Sequence, residues 1–425
     1  MTQRILVLGS GDVGSAVEHQ LFVQGIDAVL LDDPAPAHLR RGMAFADAWF
    51  DGTATLDGVV AQWVPRLDDL AGQLPAVEGV LCTSAEPSVA AAALQPHTIV
   101  DARMRKRSVP ENLRAHAAQV VGLGPGFEPG CNCSVAIETA WGDHLGQVLH
   151  DRPASALGGE PRPIQGMGRE RLVYASFDGL WQTTSHIRDR VDKQQIVGVL
   201  DGMPVHAPCA GYLRGLTHDG VTVRRGQKII EVDPRQEPDT HGLGARPAAI
   251  ARGVASALGV GLHWDEAFFE FEADYRLTLD CMPMSMRFKL DACGVKLSLE
   301  QWRCLPRPLR ELLLTAPGGS SLGSTRMGLV LQRWAAQQGW PPLPTSSPDM
   351  AAGEMHVVPG AILRQCAAVQ QEPPSLEQWV GLTRLQRFAL LKLTQGGGHR
   401  NWGKAWTEFG LNAPEAPGRN TAKRL

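Results

Sequence analysis

The chain carries almost no net charge. Its 41 lysines and arginines against 44 aspartates and glutamates leave −3 over 425 residues, so it offers no electrostatic attraction to nucleic acid or to an anionic membrane. Long apolar runs are also missing. None reaches the roughly 18 residues needed to span a bilayer, and the opening TQRILVLGSGDVG lacks the extended apolar segment of a signal peptide. Cysteines number only eight and are scattered, which favours free thiols in a reducing compartment; the expected address is the cytoplasm. No second cysteine pair completes a zinc set with Cys131 and Cys133. The histidines show no ligand spacing, and no Ser/His/Asp or Cys/His arrangement can be recognised.

What is present has the composition of a globular protein of about two to four domains. Residues 1–150 read as α/β. Short apolar runs at Ile5–Leu8, Ala28–Leu31, Gly79–Cys82, Thr98–Asp101 and Val120–Val121 alternate with helical patterns such as Ser15–Gln24, the pattern of a parallel sheet buried on both faces. Residues 151–171, rich in Pro, Gly and Arg, read as a linker. Residues 172–234 form a repeat. Residues 235–264 contain a small apolar helix, Ala245–Leu258, able to return over the first domain. Residues 265–412 are mostly helical, with capping-box sequences at Ser298/Gln301 and Ser375/Gln378 and helix candidates over Pro308–Leu314, Thr325–Gln338 and Ser375–Leu393. Residues 413–425 are a polar tail.

The repeat is explicit. Ala175–Asp201 reappears, shifted by 32 residues, as Ala207–Asp233: Gly179 answers to Gly211, Val191 to Val223 and Gln195 to Gln227. Two β-rich halves, each too small to bury a face alone, are expected to pair into one barrel. The second half, APCAGYLRGLTHDGVTVRRGQKIIEV, resembles biotinyl and lipoyl carrier domains, which present a lysine on the hairpin between the halves. Here that hairpin reads Asp201-Gly202-Met203-Pro204-Val205, without lysine, so the module is expected to bind or dock rather than carry a covalent group.

Two glycine runs follow strands. Gly9-Ser10-Gly11-Asp12-Val13-Gly14 is GxGxxG between a strand and a helix, where Gly9, Gly11 and Gly14 allow a tight turn, close approach of a phosphate and close packing, and the helix N-terminus favours an anion. Asp32, ending the next strand, is placed for a ribose hydroxyl. Such a loop also serves packing alone. Gly122, Gly124 and Gly126 form the second run, and two runs in one sheet suggest a cleft at the C-terminal edge of the strands. Arg103, Arg105, Lys106 and Arg107 form one basic cluster and Arg40–Arg41 another; either could clamp phosphate, and either could be a solvated loop. Cys131 and Cys133 are candidate soft ligands, weighed against a pair of small residues at a helix start. In the helical region, Thr383–Leu393 is amphipathic with a basic face, read as a packed helix or as a partner-docking surface.

About residues 1–260 resemble the selenium-dependent molybdenum hydroxylase system proteins, relatives of the xanthine dehydrogenase accessory proteins. The resemblance is carried by Leu39-Arg40-Arg41 with AFADAWFDGTATLDGVVA, by VVGLGPGF at 120–127, by IETAWGDHLGQVL at 137–149, and by YLRGLTHDGVTVRRGQKI with EVDPR. About residues 268–412, through FEFEADYRLTLDCMPMSMRFKLDACGVKLSLEQW, LTRLQRFALLKL and GHRNW, resemble the nitrate reductase-associated protein family. Both resemblances imply service to a molybdenum enzyme. The expected fold is an α/β Rossmann-like parallel sheet, a small all-β barrel-sandwich (biotinyl/lipoyl-like) module, and a mostly α-helical C-terminal domain. The expected function is maturation of an assimilatory nitrate reductase, an accessory rather than catalytic role. The molybdenum cofactor, as a pterin or its nucleotide form, would be a transient ligand of Gly9, Gly11, Gly14, Asp32, Arg103, Arg105, Gly122, Gly124 and Gly126. Cys131 or Cys133 would touch metal or sulfur, and residues 268–412 would dock the apo-reductase. The rivals are an NAD(P)-dependent or cofactor-modifying enzyme and a scaffold without a small ligand. A homodimer is an unsurprising assembly for such a fold.

Overall fold

The computed structural model describes residues 4–70, 72–76, 78–105, 109–156, 161–347, 350–395 and 399–412, without the side chains of Met350, Ala351 and His399. The tail read over 413–425, Lys106, Arg107 and part of the 151–171 linker lie outside these residues. The described chain divides into two compact units. One takes the residues up to His263 together with Cys304–Leu343. The other takes Trp264–Arg303 and the described residues from Pro344 onward.

In the first unit, nine strands form one sheet: β1 (Ile5–Leu8), β2 (Ala28–Leu31), β3 (Thr53–Leu56), β4 (Val59–Trp63), β5 (Val80–Thr83), β6 (Thr98–Asp101), β7 (Gln119–Leu123), β8 (Val135–Ile137) and β9 (Val148–Leu149). Their order is β3-β4-β5-β2-β1-β6-β7-β8-β9. From β4 to β8 all neighbours are parallel, with antiparallel β3 and β9 at the edges. The parallel sheet expected from the apolar runs is present. The sequence reading had no counterpart for β3, β4, β8 and β9, which lie at or next to the two edges of the sheet. Order reverses at β1, with β2 on one side and β6 on the other, and this is where doubly wound sheets place ligands. The short helices α2 (Ala48–Asp51), α3 (Leu67–Leu70) and α4 (Pro87–Leu94) lie on the connections.

The helix after β1, α1 (Asp12–Val23), is buried from Val13 to Val23. Sequence alone gives no reason for this, because Glu18, His19 and Gln20 interrupt its apolar pattern. The reason is tertiary: α5 (Ala245–Ala257) packs along it, as expected for a helix returning over the first domain, and helices from residues 304–343 cover the rest. These are α8 (Arg307–Thr315), which packs on α5, and α9 (Ser321–Gln337), which packs on α1. Arg326 of α9, itself buried, bonds Asp27 at 2.8 Å and the Ile26 carbonyl at 2.9 Å. A Cβ on Gly58 would stand 2.3 Å from the Val330 carbonyl, so that turn also admits only glycine beneath α9.

Residues 172–234 form two four-stranded antiparallel sheets. With β10 (Leu172–Tyr174), β11 (Gly179–Gln182), β12 (Arg190–Val191), β13 (Ile196–Leu200), β14 (Met203–His206), β15 (Gly211–Leu216), β16 (Thr222–Val223) and β17 (Lys228–Asp233), the orders are β10-β17-β15-β12 and β14-β13-β11-β16. Each strand of one sheet has its 32-residue counterpart at the same place in the other, and register repeats too. Trp181 opposes Leu200 as Leu213 opposes Val232, and Val191 opposes Gly211 as Gly179 opposes Val223. Each sheet therefore takes strands from both halves. Trp181, Val191, Leu200, Leu213, Val223 and Val232 meet in one shared core. The Asp201–Gly202 turn between β13 and β14 has both residues at positive φ, the conformation of a tight hairpin turn.

The second unit is helical: α6 (Met284–Ala292), most of α7 (Leu299–Cys304), α10 (Gly360–Ala368), α11 (Leu376–Gly381), α12 (Arg384–Leu393) and α13 (His399–Glu408). Phe271, Ile362, Trp379, Phe388, Trp402 and Trp406 fill its core. The stretch Ser375–Leu393, read as one helical candidate, is two helices. Thr383 starts a second capping box with Gln386 immediately after the one at Ser375/Gln378, and a cap at that place ends one helix as it starts the next. Arg387, expected on a basic face, is buried instead and bonds the Ala352 and Leu382 carbonyls. Among the described residues no helix is long and apolar enough to cross a membrane.

Burial of α1 makes a pH prediction. Burial outweighs the nearby Arg326 and pushes Glu18 up to about 8. The folded state then holds a proton that the unfolded chain releases above its ordinary carboxyl range, so stability falls as pH rises from about 4.5 to 8. Glu18→Gln should flatten that limb and raise stability at pH 8 by on the order of 1–3 kcal/mol, read from urea melts at pH 6 and pH 8. Identical pH profiles for the two proteins would refute the neutral buried carboxyl.

Candidate functional site

The loops leaving β1, β2, β6 and β7 all lie at the C-terminal edge of the parallel sheet, around the point where strand order reverses. After β1 the chain turns through Gly9 at φ +99°, a conformation that favours glycine, and a Cβ there would be 2.9 Å from the Arg103 Cα. Gly14 is tighter still: a Cβ would lie 1.8 Å from the Gly9 carbonyl oxygen. Gly11 differs. What its Cβ would meet is the His38 ring, 3.0 Å from Nδ1.

The polar groups of this loop are engaged from within the chain. The Gly9 N–H donates to the Leu31 carbonyl at 2.7 Å, and the Ser10 N–H donates to the Asp32 carboxylate in a short bond. Asp32 also accepts from His38 Nε2 at 2.7 Å. Burial acts to raise the Asp32 pKa, but His38 and the Ser10 donors outweigh it and hold it at about 2. Asp32 in turn overcomes the burial of His38 and lifts its imidazole above the ordinary value. Asp32, the residue placed by sequence for a ribose, thus anchors His38 over Gly11.

The second loop is organised by its own side chains. A Cβ on Gly122 would lie 2.1 Å from the Phe127 ring, and one on Gly124 2.7 Å from Thr139 Oγ1. Gly124 and Gly126 both have φ +88°. Asn132 Nδ2 donates to the Gly126 carbonyl at 2.9 Å, while its Oδ1 accepts from the Glu128 N–H at 2.9 Å. The helix start weighed for Cys131 and Cys133 is not there; the chain runs into β8 instead. Cys131 is exposed, whereas Cys133 belongs to the sheet's core, its thiol pushed up to about 11 by burial. Among the described residues no group of three or more His, Cys, Asp or Glu is arranged to hold a metal. Arg103 is tied to Asp101, with Nε 3.0 Å from Oδ1, and lies 3.6 Å from Glu111; Arg105 is exposed.

The strongest electrostatic feature beside the glycine loop had only one part legible beforehand. Arg40 bonds Asp12 at 3.0 Å through Nη1 and grips Glu231 through Nε at 2.8 Å and Nη2 at 3.1 Å. Glu231, on β17, is fully buried. It also bonds Arg171 and lies 3.8 Å from Arg214 of β15. Burial alone would raise its pKa; Arg40, Arg214 and Arg171 together hold it at about 2. Arg41 continues the link, bonding the Leu216 carbonyl at 2.7 Å and Asp47 at 2.9 Å, and the Leu216 N–H donates to the Leu39 carbonyl. Residues 38–41 therefore join the glycine loop to the β-module within one unit. Arg40–Arg41 stood out as a basic pair. The others converge from distant segments; the one sequence signal was a carboxylate, Glu231, where the first repeat has Val199.

Comparison with known proteins separates the two regions. Residues 268–409 match the family described as conserved nitrate reductase-associated protein. The chain is also 31% identical over 268 residues, 61% of its length, to the uncharacterized protein YqeB of Escherichia coli strain K12. That match covers 48% of YqeB, so the chain spans about half the length of this curated relative. No solved structure matches.

The packing ranks the glycines. Gly14→Ala should cost about 3 kcal/mol or more, because the backbone must move, whereas Gly11→Ala displaces only a side chain and should cost under about 1 kcal/mol. Thermal melts of the two variants check this; equal losses would contradict the assigned contacts.

Proposed function

We propose that this protein is an accessory factor in the maturation of a nitrate reductase, with the molybdenum cofactor as its cargo. The observation that carries the reading is the match of residues 268–409 to the nitrate reductase-associated family. The resemblance of about residues 1–260 to molybdenum hydroxylase accessory proteins points to the same class of client. The cargo is anionic through its phosphate, and in this reading it meets the glycine loops at the sheet edge: Gly9, Gly11 and Gly14 on one side, Gly122, Gly124 and Gly126 on the other, with Arg103 and Arg105 beyond β6. Gly9 and Gly124 would allow close approach rather than donate, because their N–H groups already bond the Leu31 and Ile137 carbonyls. Cys131 is the exposed thiol of its pair and the one open to the cargo's sulfur or metal. Holding and releasing a labile ligand requires no catalytic triad, and the reading assigns none.

The dehydrogenase alternative is weakened by Asp32, whose carboxylate is occupied by His38 and the Ser10 N–H. A scaffold that docks the reductase without a small ligand is favoured by one observation: Gly14, Gly122 and Gly124 each have a packing reason to be glycine.

The test of the reductase link uses the full chain, immobilised, against purified apo- and cofactor-loaded assimilatory nitrate reductase. Capture of the apo form in preference to the loaded form is expected. Failure to capture either would overturn the assignment.

A further inference from the structure

The arginines beside the glycine loop do not all find a carboxylate to hydrogen-bond. Four guanidiniums, Arg40, Arg171, Arg214 and Arg246, face Asp12, Glu138, Glu231 and Asp233. Glu138 accepts from the backbone N–H groups of Thr139, Ala140 and Ser155, so its charge is already solvated by the chain. The neighbouring Arg41 and Arg235 have carboxylates of their own in Asp47 and Asp233. Glu231 takes its hydrogen bonds from Arg40 and Arg171, while Arg214, which also faces Asp233, hydrogen-bonds neither carboxylate.

The side chain of Arg214 is 14% exposed, 3.8 Å from the Glu231 carboxylate, and its one hydrogen-bonded neighbour is the Met43 sulfur at 3.9 Å. Its Nε and that of Arg171 are buried without a partner. Arg246 spends its Nε on the Thr139 carbonyl at 2.8 Å. It lies in the first turn of α5, where the helix dipole disfavours a cation. Burial, reinforced by Arg40, weakens the hold of Arg214 on its proton against the opposing pull of Glu231 and Asp233. The same two influences act on Arg246, opposed by Asp12. Two cations held out of water beside a third are costly unless an anion meets them, and guanidinium forks suit tetrahedral oxyanions. The place is open to solvent at Arg40 and Asp12, whose side chains are 31% and 23% exposed.

We propose that Arg40, Arg214 and Arg246, at the mouth of the glycine loop, form a subsite for a multiply charged tetrahedral oxyanion: the phosphoryl group of a bound cofactor or nucleotide, or a free oxyanion such as molybdate. The proposal deepens the cargo reading. It moves the charge-neutralising role from Arg103, which Asp101 already occupies, to side chains from three elements that meet only in the fold.

The experiment is calorimetric titration of the full chain with inorganic pyrophosphate and, separately, with molybdate. Pyrophosphate binding that weakens about ten- to a hundredfold in Arg214→Gln and Arg246→Gln, and is unchanged in Arg225→Gln, an exposed arginine on a β-module turn, supports the site with a phosphoryl ligand. The same pattern with molybdate supports it with a free oxyanion. Arg246→Lys keeps the charge but not the fork; it should fold like the parent and bind with intermediate strength, which separates loss of fold from loss of the ligand contact. No heat with either anion, or equal binding by the parent and both glutamine variants, overturns the proposal. Neither titration involves the reductase, so the partner assignment stands or falls separately.

Discussion

One carboxylate organises the first unit. Glu231 is carried on an inner strand of the β-module and has no access to water. A charge in that position is stable only with well-placed counter-charges, and removing a partner from such a pair costs about 3–5 kcal/mol. The partners come from elsewhere in the chain: Arg40 from the loop after β2, Arg171 from the approach to β10, Arg214 from β15. Arg40 then reaches on to Asp12, the first residue of α1. Glu231 thereby ties the β-module to the start of α1, beside the Arg41–Leu216 and Leu216–Leu39 bonds, while Asp32 holds His38 over Gly11.

Much of the architecture is legible in the sequence because it is local. Apolar runs of four residues mark the central strands, glycines mark the turns, and the 32-residue repeat marks two related β-rich halves, whose strands pair in two sheets with a repeating register. Capping boxes at Ser298 and Ser375 mark helix starts, each a matter of four consecutive residues, whereas the sequence reading does not mark the one at Thr383 and merges its helix with the one before. What escapes a linear reading is what depends on distant contacts. The polar residues of α1 conceal a buried helix because its cover comes from some 300 residues later. The segment over 304–343 reads as part of one helical region, yet it completes the first unit, where α8 and α9 pack on α1 together with α5.

The candidate site divides in the same way. The glycine runs and Asp32 are visible as motifs, but a motif does not reveal what already fills it. Here His38 lies against Gly11 and Asp32 is bonded on both sides. Arg103 looks available as part of a basic run, whereas Asp101, two residues earlier, neutralises it. Arg214 and Arg246, which hydrogen-bond no carboxylate among the described residues, are isolated in sequence, and only the fold brings each near Arg40. The match over 268–409 supplies the connection to nitrate reductase; a ligand at the sheet edge is the proposal that the glycine loops and arginines motivate.

The most direct test of the whole account is the composition of the protein purified from cells with an active molybdenum pathway, with molybdenum measured by mass spectrometry and released pterin by fluorescence in the same sample. Pterin and molybdenum in near-stoichiometric amount with the chain is the predicted result. Absence of both would contradict the cargo reading and leave a reductase-docking scaffold in its place.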